Sequence, residues 1–399
     1  MSKLLSQGGF GCVYYPGIKC DGKMDPRTNV VTKLQKRDFN AYNEIKIGEM
    51  IKKIQHYKLF FLPVIGNCPV NLRSLDKSII SKCDVIADSD ELKYTLMTIP
   101  YISNSSFFSI LIGNSNDAKH MNKGDKKHMN KGDKKHNLEK KHMFLSLTET
   151  FKYLLGGIEK LVDNKIVHFD LKAGNILYNT ITTDPQIIDF GISIPIDELN
   201  DSNLKDYFYA DGSDYYVWPL EVQVINFIVN ETKGRLTEKD AEKIAKEYTE
   251  SNKGLQVFSK EFIDLYRKSC VNEIKKYVGE ERKKVIYKLI EFYKTWDNYS
   301  LSILYLKTFE YIFSKGFERN SLIILFSQIL ATNINPDPSK RLSINETREK
   351  FNEIFYVDEN VKDYIELIEN FDYDVNLTTK KINEDLKQLN KTKREHMKR

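Results

Sequence analysis

A chain of 399 residues that is 41% hydrophobic and 29% charged has the length and apolar content for one two-part enzyme or two modest domains, which excludes a disordered or fibrous class. Its net charge of +5 is local: residues 117–143 hold nine Lys against four acids and residues 380–399 hold eight Lys/Arg against three, so the remainder carries about −5 and nucleic acid is not an expected partner. Five cysteines (Cys12, Cys20, Cys68, Cys83, Cys270) without CxxC or metal-ligand spacing predict neither a disulfide framework nor a zinc site and point to a reducing compartment. The most apolar runs, Leu59 to Val64 and Leu322 to Leu330, are far shorter than a membrane span, and no charged-then-apolar leader stands at Met1. A soluble, cytoplasmic protein without a membrane partner is expected.

In chain order, a glycine-rich run comes first, Leu5-Ser6-Gln7-Gly8-Gly9-Phe10-Gly11-Cys12-Val13-Tyr14. Short β-type runs at Cys12 to Tyr15, Val30 to Leu34 and Lys93 to Thr98 flank one strongly periodic helical stretch, Ala41 to Gln55, so the first hundred residues predict a small sheet carrying one helix. On that helix Glu44 precedes Ile47, Ile51 and Ile54 and lies on the buried stripe, whereas Glu49 is followed by Lys52, Lys53 and His56 on a solvent-facing pattern. An eight-residue repeat then appears, Lys119 to Lys126 copied at Lys127 to Lys134 with degenerate copies after it. With almost nothing apolar it reads as a disordered basic insertion over 117–143, and its histidines (His120, His128, His136, His142) as part of that tract rather than metal ligands. From Phe144 the pattern becomes mainly helical, beginning with Leu147 to Val162. Glu231 to Tyr293 reads as a charged helical insertion, and the last residues as a charged tail.

The most specific signal is Val167-His168-Phe169-Asp170-Leu171-Lys172-Ala173-Gly174-Asn175, followed by Ile187-Ile188-Asp189-Phe190-Gly191. Phosphoryl transfer needs a carboxylate to orient and deprotonate the attacking hydroxyl and oxygen ligands to hold Mg2+ against a triphosphate. Asp170 can supply the first, Asn175 and Asp189 the second, and Lys172 can neutralise charge on the moving phosphoryl group.

These two segments resemble the catalytic loop and Asp-Phe-Gly motif of eukaryotic-type protein kinases. The resemblance extends upstream. The run from Leu5 is similar to the glycine-rich loop over ATP phosphates, with Gly8, Gly9 and Gly11 letting backbone N–H groups approach, Phe10 and Val13 capping phosphates and adenine, and Ser6 in place of the usual first glycine. Val30-Val31-Thr32-Lys33 resembles the strand ending in the ATP-anchoring lysine, with Glu44 as its partner. Lys93 to Ile102 resembles the strand and hinge that read adenine, with Met97 or Ile99 as gatekeeper and Tyr101 beside them. Gly48 falls where the family places a bulky residue, which predicts looser packing.

Downstream, Tyr216-Val217-Trp218-Pro219-Leu220-Glu221 resembles the segment closing the activation loop, and Asp337 to Ser343 the late motif whose arginine, here Arg341, pairs with that glutamate. Trp296 to Ser302 resembles the buried helix whose aspartate, here Asp297, supports the catalytic loop. The resemblance covers roughly Ser6 to Phe355. It implies an α+β bilobal protein-kinase-like fold: an N-lobe over 1–101 with a small antiparallel sheet and one helix, an α-helical C-lobe over 102–356 with insertions at 117–143 and 231–293, and a tail over 357–399. Beginning at the glycine loop, the first strand is expected to be very short. Tracts rich in Asn, Lys, Ile and Tyr, with two insertions, look most like the divergent serine/threonine kinases of large DNA viruses, which would place the protein in host cytoplasm or virion.

What the resemblance implies is ATP and Mg2+ as cofactors and a protein Ser/Thr hydroxyl as acceptor. Asp170 is the base, Lys33 holds phosphates, Glu44 positions Lys33, Asn175 and Asp189 bind metal, and His168, Phe190, Gly191, Glu221, Asp297 and Arg341 are structural. Lys172 follows the serine/threonine rather than the tyrosine pattern. Phe169 stands where many relatives carry an arginine neutralised by activation-loop phosphate, so switching by phosphorylation of Ser193, Ser202, Ser213 or the neighbouring tyrosines is less expected. The alternatives of other classes are a pseudokinase scaffold, which would have lost Lys33, Asp170 or Asp189, and a small-molecule kinase, which would lack Lys172, Glu221 and Arg341.

Overall fold

Short runs at the start of the chain pair into a five-stranded antiparallel sheet: β1 (Lys3–Gly8), β2 (Gly11–Tyr15), β3 (Val30–Lys36), β4 (Gly66–Asn71) and β5 (Lys93–Pro100), in the order β1-β2-β3-β5-β4, with β2, β3 and β5 rich in β-branched and aromatic residues. The computed structural model describes residues 2–87, 93–106, 130–182, 184–209, 215–231, 234–313 and 321–356. The fold class is mixed α and β, an antiparallel N-terminal sheet with a mostly helical remainder. Among the described residues no helix is long and apolar enough to cross a membrane. The first strand, expected to be very short, runs for six residues.

The chain divides into two compact units, Met1–Ile110 with Gly156–Tyr207, and Leu111–Leu155 with Phe208–Arg399. Compactness therefore groups residues 156–207 with the sheet, a different cut from the lobe boundary expected after residue 101.

In the first unit, helix α1 (Phe39–Ile51) starts where Asp38 accepts a hydrogen bond from the Ala41 N–H, an N-cap that satisfies one of the first-turn donors. It buries Ala41, Asn43, Glu44, Ile47, Gly48 and Ile51. Gly48 is not a loose spot. A Cβ there would lie 2.8 Å from the Val64 carbonyl oxygen and 3.3 Å from its Cβ, so Val64 occupies the space that a larger side chain would fill and the expected slack is absent. Short helices α2 (Tyr57–Phe60), α3 (Lys77–Ile80) and α4 (Asp84–Ala87) flank the strands. Past β6 (Asn104–Ser106), the same unit holds β7 (Ile166–Val167), β8 (Ile176–Asn179), β9 (Pro185–Ile187) and β10 (Ile194–Pro195); β8 lies between β6 and β9, and β7 pairs with β10.

The cysteine expectation is overturned. Cys12 is bonded to Cys83 and Cys20 to Cys68, and only Cys270, buried, is free. Partners 71 and 48 residues apart carry no local spacing signal; the strands bring them together, β2 against the segment entering α4, and the loop after β2 against β4. Four paired cysteines also remove the argument for a reducing compartment. Beside the first bond, the Gln7 amide nitrogen donates to Asp84 at 2.7 Å and its oxygen accepts from the Asp84 N–H at 3.3 Å, so α4 is clamped to the glycine-rich hairpin twice over.

The second unit includes helix α5 (Asn130–Asp163) as far as Leu155, and the helix's later residues from Gly156 belong to the first unit. Residues 130–143 of the basic tract, expected to be disordered, have helical backbone; extending a helix that already exists adds one hydrogen bond per residue fixed and needs no apolar face. Residues 117–129 of the tract and the tail 357–399 lie outside the described residues. Helix α6 (Leu204–Tyr207) closes the first unit, and helices α7 (Leu220–Asn230), α8 (Glu238–Ser251), α9 (Lys260–Lys275), α10 (Arg282–Ile290), α11 (Trp296–Phe313), α12 (Ser321–Asn333) and α13 (Ile344–Phe355) build the second. Its core is a cluster of Phe151, Tyr305, Phe326, Phe351 and Phe355 rings. The expected insertion is wired into this unit: the Tyr248 and Tyr299 hydroxyls are hydrogen-bonded, Asn252 donates to Tyr299 at 2.9 Å, and Tyr266 donates to the Ile334 carbonyl.

In the protein purified without reductant, thiol labelling should leave Cys12, Cys20, Cys68 and Cys83 unmodified, and Cys83→Ser should lower stability by about 2–4 kcal/mol in denaturant, the usual effect of opening a long loop. Labelling of those four thiols in the unreduced, folded protein would contradict the pairing.

Candidate active site

Strand β3 alternates its side chains, and Lys33 shares a face with its cross-strand neighbours Val13 and Met97. Its ammonium is buried and reaches Glu44 of α1 at 2.7 Å and Asp189 at 3.0 Å, residues 11 and 156 positions away in sequence. Burial alone would lower the lysine pKa, but the charges of Glu44 and Asp189 outweigh it and hold the ammonium protonated well above its usual range. Asp189 responds in the complementary way: burial opposes its ionisation, the contact with Lys33 prevails, and its carboxyl is held below the usual value. Glu44 is pushed up by burial, with Lys33 opposing.

The loop after β7 arranges the next group. His168 is buried; its Nε2 donates to the Ile188 carbonyl at 3.0 Å and its Nδ1 accepts from the Asp170 N–H at 3.2 Å. Burial drops its pKa to about 4, so the ring is neutral and fixes the backbone on either side of the loop. The Asp170 carboxylate takes the Lys172 ammonium at 2.9 Å and the Asn175 amide at 2.8 Å. Burial is the larger influence on it and raises its pKa to about 6, against the pull of Lys172 and Asn175. Phe190 packs edge-on against both Phe61, at 6.0 Å between centroids, and His168, at 5.0 Å. Phe169 and Asp189 both have left-handed backbone, with φ of 68° and 63°, a conformation that non-glycine residues adopt at a cost of order 1–3 kcal/mol and that aims each side chain away from a regular strand.

The glycine-rich hairpin lies between β1 and β2. Gly8 and Gly9 have open space where a Cβ would stand, whereas a Cβ at Gly11 would be 2.3 Å from the Leu34 carbonyl oxygen, so Gly11 is required by the approach of β3. Phe10 is exposed at the tip. Met97 and Ile99 point to the same face as Lys33, Met97 directly opposite it and fully buried. Tyr101 stacks on Tyr15 at 4.3 Å, and its N–H is already donated to the Asn29 carbonyl at 2.8 Å, so Tyr101 does not supply a backbone donor to a base.

Asn175 and Asp189 are the residues that could hold magnesium. Both offer oxygen, the donor type this ion takes, and Asn175 spends its amide nitrogen on the Asp170 carbonyl and carboxylate, which leaves its Oδ1 as the ligand atom. Among the described residues no group of three or more His, Cys, Asp or Glu could hold a metal by itself. Two donors suit an ion that completes its shell with phosphate and water.

In the second unit Arg341 makes two parallel bonds to Glu221, 2.6 and 2.8 Å, with Nε on the Asn335 carbonyl and Nη1 also on Thr295. Asp297 is buried in the first turn of α11. Ser193 is wholly buried and Ser202 exposed; Ser213 lies outside the described residues.

Sequence reasoning missed Asn43 and Tyr207. Asn43 is buried on α1 and donates to the carbonyls of Gly191 at 3.0 Å and Ser193 at 2.8 Å, and its oxygen accepts from the Tyr207 hydroxyl at 3.3 Å. A signal existed: Asn43 precedes Ile47 and Ile51 by four and eight residues, a polar side chain inside an apolar stripe. Phe61, which shares the packing of Phe190 with His168, lay in an apolar run with no periodicity to assign it. No family model matches the chain, and no curated protein matches it.

Glu221→Ala leaves the Arg341 guanidinium buried with its main partner gone. It should cost about 3–5 kcal/mol in denaturant unfolding, whereas an ordinary surface pair would cost about 1 kcal/mol or less. A loss on the surface scale would show that the pair carries no structural weight.

Proposed function

We propose that this chain is a serine/threonine protein kinase of the bilobal type, a phosphotransferase that moves the γ-phosphoryl group of Mg-ATP to a Ser or Thr hydroxyl of a protein. One observation carries the reading: Lys33 reaches both Glu44 and Asp189, joining three segments far apart in sequence, in the same compact unit as an Asp170 held by Lys172 and Asn175. A structural ion pair needs one partner. A lysine shared by two acids, next to an oxygen-donor pair and under a glycine-rich hairpin, matches what phosphate anchoring requires.

In this reading Lys33 holds the α- and β-phosphates, and Glu44 keeps it from following Asp189. Asn175 and Asp189 hold magnesium, which when bound neutralises charge on the phosphates. Asp170 accepts a hydrogen bond from the acceptor hydroxyl and takes its proton as the oxygen bonds to phosphorus; the departing oxygen leaves with ADP. Lys172 stabilises the charge spread over the transferring group, and its presence two residues after the base favours Ser/Thr acceptors. Catalysis is then a matter of position and charge, with no covalent intermediate on the chain.

With labelled γ-phosphate and a generic protein acceptor, the wild type should incorporate label, and Asp170→Asn and Asp189→Ala should each lower incorporation by about 10²-fold or more. Incorporation untouched by both changes rules out the mechanism; none from folded wild type favours a scaffold. The pH profile supplies a separate check. The ionised carboxylate of Asp170 is the competent form, and its pKa lies at about 6, so activity should be level above that value and fall roughly tenfold per unit as pH drops below it. A flat profile from pH 7 to pH 5 with folded enzyme would remove Asp170 from the role of base.

A further inference from the structure

Helix α1 is joined to the segment after Asp189 by a second connection, separate from the lysine. Asn43, next to Glu44, uses both hydrogens of its amide on carbonyls of that segment, Gly191 at 3.0 Å and Ser193 at 2.8 Å. Its oxygen is occupied from α6 by the Tyr207 hydroxyl at 3.3 Å, and the Tyr207 ring is fixed edge-on by Phe39 at the start of α1, 5.1 Å between centroids. Ser193 extends the chain of bonds, donating its hydroxyl to the His168 carbonyl at 2.9 Å in the loop that carries Asp170. Gly191 lies close against the helix: a Cβ there would be 3.6 Å from Glu44 Oε2 and 4.0 Å from the Asn40 carbonyl.

We infer that Asn43 is a positioning residue for phosphoryl transfer: clamped by Tyr207, it latches α1 to the residues following Asp189 and so holds Glu44, Lys33 and Asp189 in register without any phosphorylated group. This rests on the proposed kinase reading. Three features set it apart from ordinary core satisfaction. The amide is 3% exposed, so each of its bonds replaces one that water would otherwise make and none is lost cheaply. The two carbonyls it takes are two positions apart, with Ile192 between them, and belong to the turn directly after Asp189 that the Ser193 N–H closes on the Phe190 carbonyl at 3.2 Å, so they fix that turn's orientation as well as its position. Every member is neutral: the Tyr207 hydroxyl is buried, its pKa pushed up to about 12, so it remains a donor, and Ser193, wholly buried with its hydroxyl engaged, is closed to modification. The site is therefore assembled by polar bonds present from the moment the unit folds.

Asn43→Asp tests this with almost no change of shape, because it turns a double donor into an acceptor facing two carbonyl oxygens. The expected result is a rise in KM for ATP of about fivefold together with a fall in kcat of about tenfold, the scale set by one or two buried hydrogen bonds, with KM for the protein acceptor unchanged. Amide hydrogens of residues 39–51 and 190–195 should exchange faster than in wild type. A merely structural role would reduce the amount of folded enzyme and leave KM for ATP where it was, and that result, or unchanged exchange, overturns the latch. If wild type transfers no phosphate, the kinase reading fails and exchange alone decides: faster in both segments upholds the latch, equal overturns it. If Asn43→Asp does not fold, Tyr207→Phe removes only the clamping hydroxyl. It should raise KM for ATP about twofold and speed exchange in the same segments, and the absence of both changes overturns the proposal.

Discussion

The buried ammonium of Lys33 between two carboxylates is the constraint around which the first unit is built. Removing a charged amine from water costs several kcal/mol, and the cost is recovered only if acids from elsewhere in the chain stand at hydrogen-bond distance. Glu44 and Asp189 do so at 2.7 and 3.0 Å, and each depends on a local device. Glu44 arrives because Asp38 fixes where α1 begins and because Gly48 admits the Val64 backbone against the helix. Asp189 arrives because its backbone adopts a left-handed turn, with Phe190 set between Phe61 and His168 behind it. Loss of any one device leaves a charge buried without its partner, so the sheet, the helix and the turn depend on one another through this contact.

The two aspartates of the site are driven to opposite ionisation behaviour by their surroundings. Asp170 is buried and Asp189 partly so, and loss of water pushes each towards the protonated form. Asp189 faces an ammonium that is itself desolvated, where attraction is strong, and it stays ionised. Asp170 faces Lys172, whose side chain is 38% exposed and whose charge water screens, so burial prevails and its pKa rises to about 6. A carboxylate kept firmly charged suits a ligand for cations; one whose pKa lies near neutrality suits the transfer of a proton. The same residue type gains both behaviours because burial and the neighbouring Asp189 charge outweigh Lys172 at Asp170, whereas Lys33 outweighs burial at Asp189.

The sequence was most legible where chemistry dictates residue type and order. Lys33, Glu44, Asp170, Lys172, Asn175 and Asp189 could be named together because the proposed phosphoryl transfer would ask for a cation, a base and oxygen donors in that order, and all six lie in one compact unit. Glu221 and Arg341 could be paired across 120 residues only through the resemblance, and the structure supplies the physical reason for the pair: a buried guanidinium needs a carboxylate. What stayed hidden depends on contacts between segments rather than on residue type. The cystines join positions that no spacing rule connects. Gly48 reads as a missing side chain until Val64 is seen in its place, and the helical backbone of residues 130–143 follows from the packed helix they extend. Asn43 sat in view on an apolar stripe, but its meaning depends on the two carbonyls it meets, and backbone groups leave no trace in a sequence.

The devices that hold this unit together differ in how they respond to their environment. Ion pairs such as that of Lys46 with Glu198 lie exposed and are screened by salt. The amide of Asn43 and the hydroxyls of Tyr207 and Ser193 are buried and uncharged, insensitive to ionic strength and to pH through the neutral range. The two cystines lie in the sheet portion, one of them beside the Gln7–Asp84 clamp at the base of the glycine-rich hairpin, and respond to neither salt nor pH but to reductant. The parts fixed by neutral bonds are those that would set the geometry of transfer, α1 and the turn at Asp189, while the hairpin that would cover phosphates is restrained only at its base, with open space around Gly8 and Gly9 at its tip. Under the proposed function, rigid support beneath a hairpin with a free tip would let a nucleotide enter and leave without disturbing the charges that must already be in place when it arrives.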